Sequence, residues 1–195
     1  MLTMGTSGFT LHHTNSDSAS KWLPPTWAGD IPGLGSVQLH YGPATGRTGH
    51  FAQFSVSGNG IPSAEFTGIK FGHAPLPSRA KFQVGTYAGR LSRRRSGLTR
   101  DGRALRVRLA DREYRYRQGP SKLIHELRRP GTTIRVTRDT WTRPLTLQVT
   151  TEGQADVLDI CLALLLQGVY TRHLSQGGRW FSMLGRFVNR MPDMA

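Results

Sequence analysis

The chain contains very little cysteine. One Cys occurs among 195 residues, which excludes a disulfide framework and any zinc site built from Cys ligands. This residue, Cys161, lies inside an apolar run, where burial would keep its thiol protonated and unreactive. We therefore interpret Cys161 as a small core residue and the compartment as reducing and cytosolic.

Long apolar runs are also missing. The longest uncharged apolar run, residues 160–166, is far shorter than the roughly 20 residues that a membrane-spanning helix needs. Residues 1–13 do not combine a basic region with an apolar stretch, so they predict no secretory signal. These two absences predict a cytoplasmic protein, either free or peripheral at a membrane.

The patterns that carry catalysis or bind cofactors are absent from the sequence. Seven His residues occur, but none has a partner at metal-ligand spacing. No pair of carboxylates suits acid–base chemistry, and no activated nucleophile stands beside a base. We therefore predict no catalytic residue, no metal and no cofactor, and nothing in the sequence argues for an enzyme.

Acidic residues are scarce, with 12 Asp and Glu against 26 Lys and Arg and a net charge of +14. Residues 70–150 hold 20 basic and five acidic residues, a net charge of +15. Of the basic residues 22 are Arg, whose planar fork matches phosphate and carboxylate. An Arg-favouring codon composition would explain the ratio of Arg to Lys, but it would not explain the surplus over acids. That surplus predicts an anionic partner, such as nucleic acid, anionic lipid or an acidic protein.

Proline and glycine are concentrated near the start of the chain. Residues 1–20 are polar without a period, and residues 21–35 contain three Pro and three Gly with Trp22 and Trp27 between them. Proline fixes φ and removes a hydrogen-bond donor, so we predict an irregular N-terminal arm over residues 1–35. The two Trp side chains would anchor this arm to a domain surface, and a flexible leader is the alternative.

From Ser36 onwards the apolar pattern has a period of two. Residues 104–109 and residues 113–117 alternate apolar side chains with arginines across a short polar turn, which is typical of a β-hairpin. Further candidate strands cover residues 37–41, 51–56, 65–71, 82–87, 123–127, 133–138 and 145–149. Short strands at this spacing predict an antiparallel barrel or sandwich within residues 36–170.

Residues 154–167 break the period of two. Their apolar side chains cover every direction of a helical wheel, with Asp156 and Asp159 near the start and Gly168 after the end. A helix that is apolar all round must be buried on all sides. We therefore predict a mainly β (α+β) fold, in which an antiparallel β-barrel encloses one hydrophobic C-terminal helix over residues 155–167.

The segment 171–195 is predicted to be an amphipathic tail with a short helix. Over residues 179–191 the apolar side chains fall within an arc of about 160° of a helical wheel. We predict membrane or partner contacts at one cluster of this face: Trp180, Phe181, Leu184 and Phe187. Packing of this face against the barrel is the alternative.

The densest basic cluster runs from a predicted loop at residues 90–100 onto the predicted hairpin, whose arginines point away from its apolar face. We predict that these side chains bind anions: Arg90, Arg93, Arg94, Arg95, Arg100, Arg106, Arg108, Arg115 and Arg117. A solvated outer face is the alternative. Tyr114 and Tyr116 alternate away from the arginines, which disfavours nucleic-acid recognition by base stacking.

The order of elements resembles that of a known superfamily. The alternating residues 145–149 lead directly into the apolar residues 156–166, as a last strand leads into a core helix. This arrangement, over roughly residues 35–170, resembles the tubby-like superfamily, which includes the phospholipid scramblases and the LURP-one-related proteins. The resemblance implies a closed β-barrel around a hydrophobic helix, and a protein that binds phosphoinositides or acts at membranes.

Charge and resemblance together lead to one hypothesis and two alternatives. We predict a non-enzymatic protein that binds an anionic surface, most plausibly phospholipid headgroups, through an Arg-rich barrel face and the amphipathic tail. The first alternative is a nucleic-acid-binding protein. The second is a structural subunit of a larger assembly that contacts protein partners through residues 1–35 and 179–195.

Overall fold

The computed structural model describes residues 7–14, 26–42, 52–69, 80–93, 104–121, 123–140, 145–167 and 169. These residues form twelve strands and one helix. The strands are β1 (Ser7–His13), β2 (Thr26–Ile31), β3 (Gly35–Gly42), β4 (Ala52–Gly58), β5 (Ala64–Ile69), β6 (Lys81–Val84), β7 (Tyr87–Arg93), β8 (Leu105–Leu109), β9 (Arg112–Gln118), β10 (Ile124–Arg129), β11 (Thr132–Arg138) and β12 (Thr146–Gly153). The helix is α1 (Val157–Leu166).

The twelve strands form a closed antiparallel barrel. Each strand pairs with its neighbours in the chain, and β1 closes the barrel by pairing with β12 over the register from Ser7 opposite Thr151 to His12 opposite Thr146. Because the barrel is closed, each of the described strands has a neighbouring strand on both sides. The sequence-based prediction of an antiparallel β-barrel is confirmed, although it counted fewer strands.

Alternation of side chains explains why these segments become strands. In β11, Thr132, Ile134, Val136 and Arg138 are buried while the residues between them are half-exposed. The other strands with described burial show the same alternation, interrupted in β10 by consecutive buried residues. Inward-facing apolar side chains therefore build one core from all sides of the barrel.

Short hairpins connect several strands at one end of the barrel, which we call the hairpin end. Ala110 and Asp111, between β8 and β9, both have positive φ angles of 48° and 60°. Such angles suit the primed two-residue turns that match strand twist. Pro130 and Gly131, between β10 and β11, place glycine at φ 73°, where a residue with a Cβ would be strained.

The helix α1 follows β12 after three residues and begins with a capping box. The Asp156 side chain accepts a hydrogen bond from the Asp159 backbone N–H, and the Asp159 side chain accepts one from the Asp156 N–H. The residues from Asp159 to Leu166 are all buried. They share one hydrophobic cluster with inward-facing strand side chains, and α1 contacts β4, β5, β6 and β11.

The predicted irregular arm over residues 1–35 is wrong for two segments. β1 and β2 lie within it, pair with each other and join β12 and β3 in the barrel. Gly29 is one of the three glycines counted in residues 21–35, and a Cβ at this position would lie 2.4 Å from the Thr10 carbonyl oxygen. Here glycine permits a close approach of β1 and β2.

Candidate functional site

The strands β7 to β11 carry arginines on the outside of the barrel. We call the following set the outer arginine surface: Arg90, Arg106, Arg108, Arg115, Arg117, Arg128 and Arg135. Their neighbours along the strands, such as Val107 and Tyr116, are buried in the core. Because successive strand side chains point to opposite faces, burial of the apolar set forces these arginines outward.

Three arginines of this surface form one row across three strands. Arg106 lies directly opposite Arg115 in the pairing of β8 with β9, and Arg115 lies directly opposite Arg128 in the pairing of β9 with β10. Like charges directly opposite one another in a sheet are destabilising. Arg115 is exposed and makes no ion pair with any residue that the structure describes. The row therefore concentrates positive charge at its centre.

Glu113 lies at one side of this row. Its carboxylate is 3.7 Å from the guanidinium of Arg106 and 3.9 Å from that of Arg108. The Arg108 side chain is 74 % exposed, so water screens this pair and its contribution is small. Arg106 and Arg108 consequently keep most of their capacity to attract an external anion.

Glu126 lies at the other side and is buried beneath arginines. Its carboxylate contacts Arg117 Nε at 3.0 Å, Arg128 Nη2 at 2.8 Å and Arg135 Nη2 at 3.3 Å. Burial alone would raise the pKa of Glu126, but the hydrogen bond from Arg117 and the three positive charges lower it below its ordinary value. Glu126 thus stays ionised and ties these arginines to the sheet.

The structure brings five of the nine predicted anion-binding residues onto this surface. They are Arg90, Arg106, Arg108, Arg115 and Arg117. Arg117 differs from the prediction, because its side chain is only 20 % exposed and is held by Glu126. Arg93 is the last residue of β7, and its side chain is not among those that the structure describes.

The remaining predicted residues lie outside the described part of the chain. They are Arg94, Arg95, Arg100, Trp180, Phe181, Leu184 and Phe187, together with the whole tail 171–195. Sequence reasoning missed Arg128 and Arg135 as members of the surface. The alternation in β11, where Arg135 stands between Ile134 and Val136, was the signal that could have placed Arg135 there.

Charge is unevenly distributed around the barrel. The described residues of β1 to β5 and their turns include Asp30 and Glu65 but no Lys or Arg. The outer arginine surface, by contrast, has seven arginines against Glu113 and Glu126, an excess of five positive charges. The electrostatic field of the described barrel is therefore strongest on the β7–β11 side.

A second charged cluster fixes the start of α1 at the hairpin end. The Asp159 carboxylate, 1 % exposed, accepts hydrogen bonds from Arg129 Nε at 2.9 Å, Arg129 Nη2 at 2.7 Å and the Tyr114 hydroxyl at 2.9 Å. Arg112 Nη1 donates to Asp156 at 2.5 Å and to Asp159 at 3.3 Å. We call these five residues the Asp159 cluster.

The Asp159 cluster keeps its carboxylate charged despite burial. Desolvation would raise the pKa of Asp159, but the hydrogen bonds from Arg129, the Asp156 backbone and Tyr114 lower it below its ordinary value. Burial next to the same carboxylate raises the pKa of Tyr114. Tyr114 therefore stays a neutral hydrogen-bond donor, and the cluster is suited to hold the helix rather than to transfer protons.

A third polar group is buried near the end of α1. The Tyr116 hydroxyl donates to the Leu166 carbonyl and lies 2.9 Å from His125 Nδ1. Desolvation raises the pKa of Tyr116 and lowers the pKa of Arg138, which is 1 % exposed, to about 10. Tyr116 and His125 therefore connect β9 and β10 to the helix C-terminus.

The described residues offer little to metal or thiol chemistry. No group of three or more His, Cys, Asp or Glu side chains among them could hold a metal ion. The Cys161 thiol donates to the Pro62 carbonyl at 3.1 Å, and burial raises its pKa to about 12. Cys161 is therefore a protonated core residue, as the sequence predicted.

Within the described residues, no helix combines the length and the hydropathy needed to cross a bilayer. The chain matches no protein-family model, no curated protein and no solved structure.

Proposed function

We propose that this protein is a non-enzymatic binding protein whose outer arginine surface attaches it to anionic phospholipid headgroups. One observation carries the proposal: Arg106, Arg115 and Arg128 stand directly opposite one another across three strands. With strands about 4.8 Å apart, this row spans roughly 10 Å. Such a row costs stability in the free protein, and an anionic surface would relieve its repulsion.

The energetics of headgroup attraction fit this surface. A basic side chain near an anionic leaflet contributes about 1 kcal/mol. Arg90, Arg108 and Arg115 are exposed, so their side chains can approach headgroups without breaking buried contacts. The absence of basic residues from the described parts of β1 to β5 supports a single orientation, with the β7–β11 side toward the membrane.

Nucleic acid is the first alternative partner for the same arginines. Tyr114 and Tyr116 are 1 % exposed, and the other outward-facing residues described for β8 to β11 are not aromatic. Non-specific binding to single strands usually combines cations with exposed stacking platforms. The row of Arg106, Arg115 and Arg128 has the cations but no aromatic side chain described beside it on β8 to β11, so a lipid headgroup layer is the better match for this row.

We further propose that α1 lies inside the barrel and that the chain is a tubby-like protein. α1 contacts β4, β5 and β6 on one side and β11 on the other, and in the strand order β5 and β11 are six positions apart. Six positions in a ring of twelve are opposite walls. The order of twelve antiparallel strands followed by one apolar helix also supports the superfamily proposal.

Co-sedimentation with vesicles tests the lipid proposal. The protein is mixed with vesicles of phosphatidylcholine alone and of phosphatidylcholine with phosphatidylserine. The wild type should bind the mixed vesicles, and Arg106→Gln with Arg115→Gln should lower the partition coefficient about thirty-fold, from roughly 1 kcal/mol per arginine. Lys81→Gln, which removes one exposed cation from β6 outside the outer arginine surface, is the control and should change the partition coefficient little.

Three outcomes of this experiment would overturn the lipid proposal. They are equal binding to neutral vesicles, equal binding by the double variant, and preferential binding of duplex or single-stranded nucleic acid in a parallel gel-shift assay. Absence of both kinds of binding, with a mass that indicates multimers, would favour an assembly subunit. The tail contribution is tested separately with Trp180→Ala combined with Phe187→Ala, which should weaken vesicle binding if the tail inserts.

A further inference from the structure

A groove with a volume of about 780 Å³ opens at the hairpin end of the barrel. It runs between the β6–β7 hairpin and the β8–β9 hairpin and reaches the first turn of α1 at Leu158. Its volume falls within the usual range for small-molecule sites, about 300–1,000 Å³. All of its lining residues belong to the described part of the chain.

The strand register explains why the groove exists. β7 begins at Tyr87, but its pairing with β8 covers only residues 90–93, opposite residues 105–108. The tips of the two hairpins therefore separate beyond Arg90 and Arg108. Both hairpins are held firmly elsewhere, because β6 pairs with β7 and β8 pairs with β9 up to Arg112. The strand pairing therefore fixes the groove at this end of the barrel.

Three arginines line the groove. Arg90 lies directly opposite Arg108, and Arg90 makes no ion pair within the residues that the structure describes. The Arg108 contact with Glu113 is long, at 3.9 Å, and exposed. Arg112 also lines the groove, and its guanidinium is held by Asp156 at 2.5 Å. This arrangement suits a phosphate group, which accepts hydrogen bonds from several guanidinium forks.

The groove lining also includes an aromatic ring. Tyr87 is 47 % exposed and is one of only two exposed large hydrophobic residues among those described. It lines the groove together with Ala88 and Leu158. An exposed aromatic ring beside cations is the combination that binds a planar base and its phosphate together.

Glu113 adds a third type of group. It lines the groove next to Arg108, and its carboxylate is an acceptor for hydroxyl donors. Cation, aromatic ring and carboxylate correspond to the phosphate, base and ribose of one ligand class. We infer that this groove is a binding site for a nucleoside phosphate, with its base on Tyr87 and its phosphates on Arg90 and Arg108.

A fluorescent nucleotide tests the inference on the full chain. N-methylanthraniloyl-ADP is titrated into the protein, and its fluorescence reports binding. Tyr87→Ala should weaken binding about tenfold through the loss of stacking, whereas Tyr87→Phe should retain it. Arg90→Gln and Arg108→Gln should each weaken binding by about tenfold. Arg115→Gln, which removes an exposed arginine outside the groove lining, should leave binding unchanged within twofold.

Two controls keep the result specific. Thermal unfolding of each variant should match that of the wild type, since Tyr87, Arg90 and Arg108 are exposed. Unlabelled ADP should displace the probe, and inorganic phosphate at equal concentration should not. Displacement by phosphate as effective as that by ADP, no binding at all, or binding that Tyr87→Ala leaves intact would each overturn the inference.

The groove and the outer arginine surface share Arg90 and Arg108, but the two proposals can be refuted independently. If the nucleotide does not bind while Arg106→Gln with Arg115→Gln still reduces vesicle binding, the groove inference is wrong and the lipid proposal stands. If vesicle binding is absent while Tyr87→Ala weakens nucleotide binding, the lipid proposal is wrong and the groove inference stands.

Discussion

At the scale of single residues, the burial of two carboxylates determines the roles of the arginines around them. Asp159 and Glu126 are the two carboxylates that the described barrel buries almost completely, and both are surrounded by arginines. Removing water from a charge is costly unless hydrogen bonds and opposite charges compensate. The arginines therefore have two roles, since some hold buried acids and others stay free at the surface.

Asp159→Asn tests the role of the helix-start cluster in stability. Because the pKa of Asp159 is lowered in the folded protein, its contribution is complete above the unfolded-state pKa of about 3.9 and is lost as the pH falls through the folded value. Asp159→Asn should cost about 3–5 kcal/mol at neutral pH and make the acid-induced loss of stability shallower. Urea unfolding across this pH range measures both effects.

The control for this prediction is Asp111→Asn. Asp111 is exposed in the β8–β9 turn at φ 60°, and asparagine tolerates this conformation. The change should alter unfolding free energy by less than about 0.5 kcal/mol. An Asp159→Asn variant as stable as Asp111→Asn would show that the cluster contributes nothing to folding.

At the scale of elements, the helix and the strands differed in how far the sequence predicted them. α1 occupies residues 157–166 of the predicted 155–167, because an apolar run with acidic residues at its start has few alternatives to a buried helix. β1 and β2 were missed. β1 pairs with β12, which lies more than 130 residues away in the chain, and local pattern carries no information about such a contact. β2 pairs with β1 and with β3, so it joins the barrel beside that long-range pair.

Leu164→Ala tests whether the packing of α1 holds the barrel together. Leu164 is fully buried, so its truncation should leave a cavity and cost about 2–5 kcal/mol. Leu158→Ala removes the same atoms from the same helix at a half-exposed position and should cost about 1 kcal/mol. Urea denaturation compares the two variants, and equal losses would contradict tight packing around the helix.

At the scale of the whole molecule, the positive charge of the described barrel is concentrated on one side. Residues 70–150 carry a net charge of +15, and the described strands within that range place their exposed arginines on the β7–β11 side. A protein with this distribution is oriented by an anionic surface before any contact forms. The closed strand order decides which strands are neighbours and therefore where the positive charge lies. The position of that charge sets the orientation.

Salt dependence tests this long-range attraction. The Debye length falls from about 10 Å at 0.1 M salt to about 3 Å at 1 M, so binding to phosphatidylserine-containing vesicles should drop by at least about tenfold over this range. Unfolding free energy, measured in parallel, should change far less because the buried pairs are poorly screened. Vesicle binding that is insensitive to salt would contradict the arginine mechanism and favour insertion of the tail.

The sequence by itself determined the alternation that buries one face of each strand, the apolar helix and the outward direction of Arg106, Arg108 and Arg115. These features follow from the local periodicity of the side chains, which depends only on residues that are close together in the sequence. Only the tertiary structure decided that Arg106, Arg115 and Arg128 stand in one row, that Glu126 holds Arg117, and that a groove separates two hairpins. Strand register and barrel closure set these positions, and both depend on contacts between distant segments.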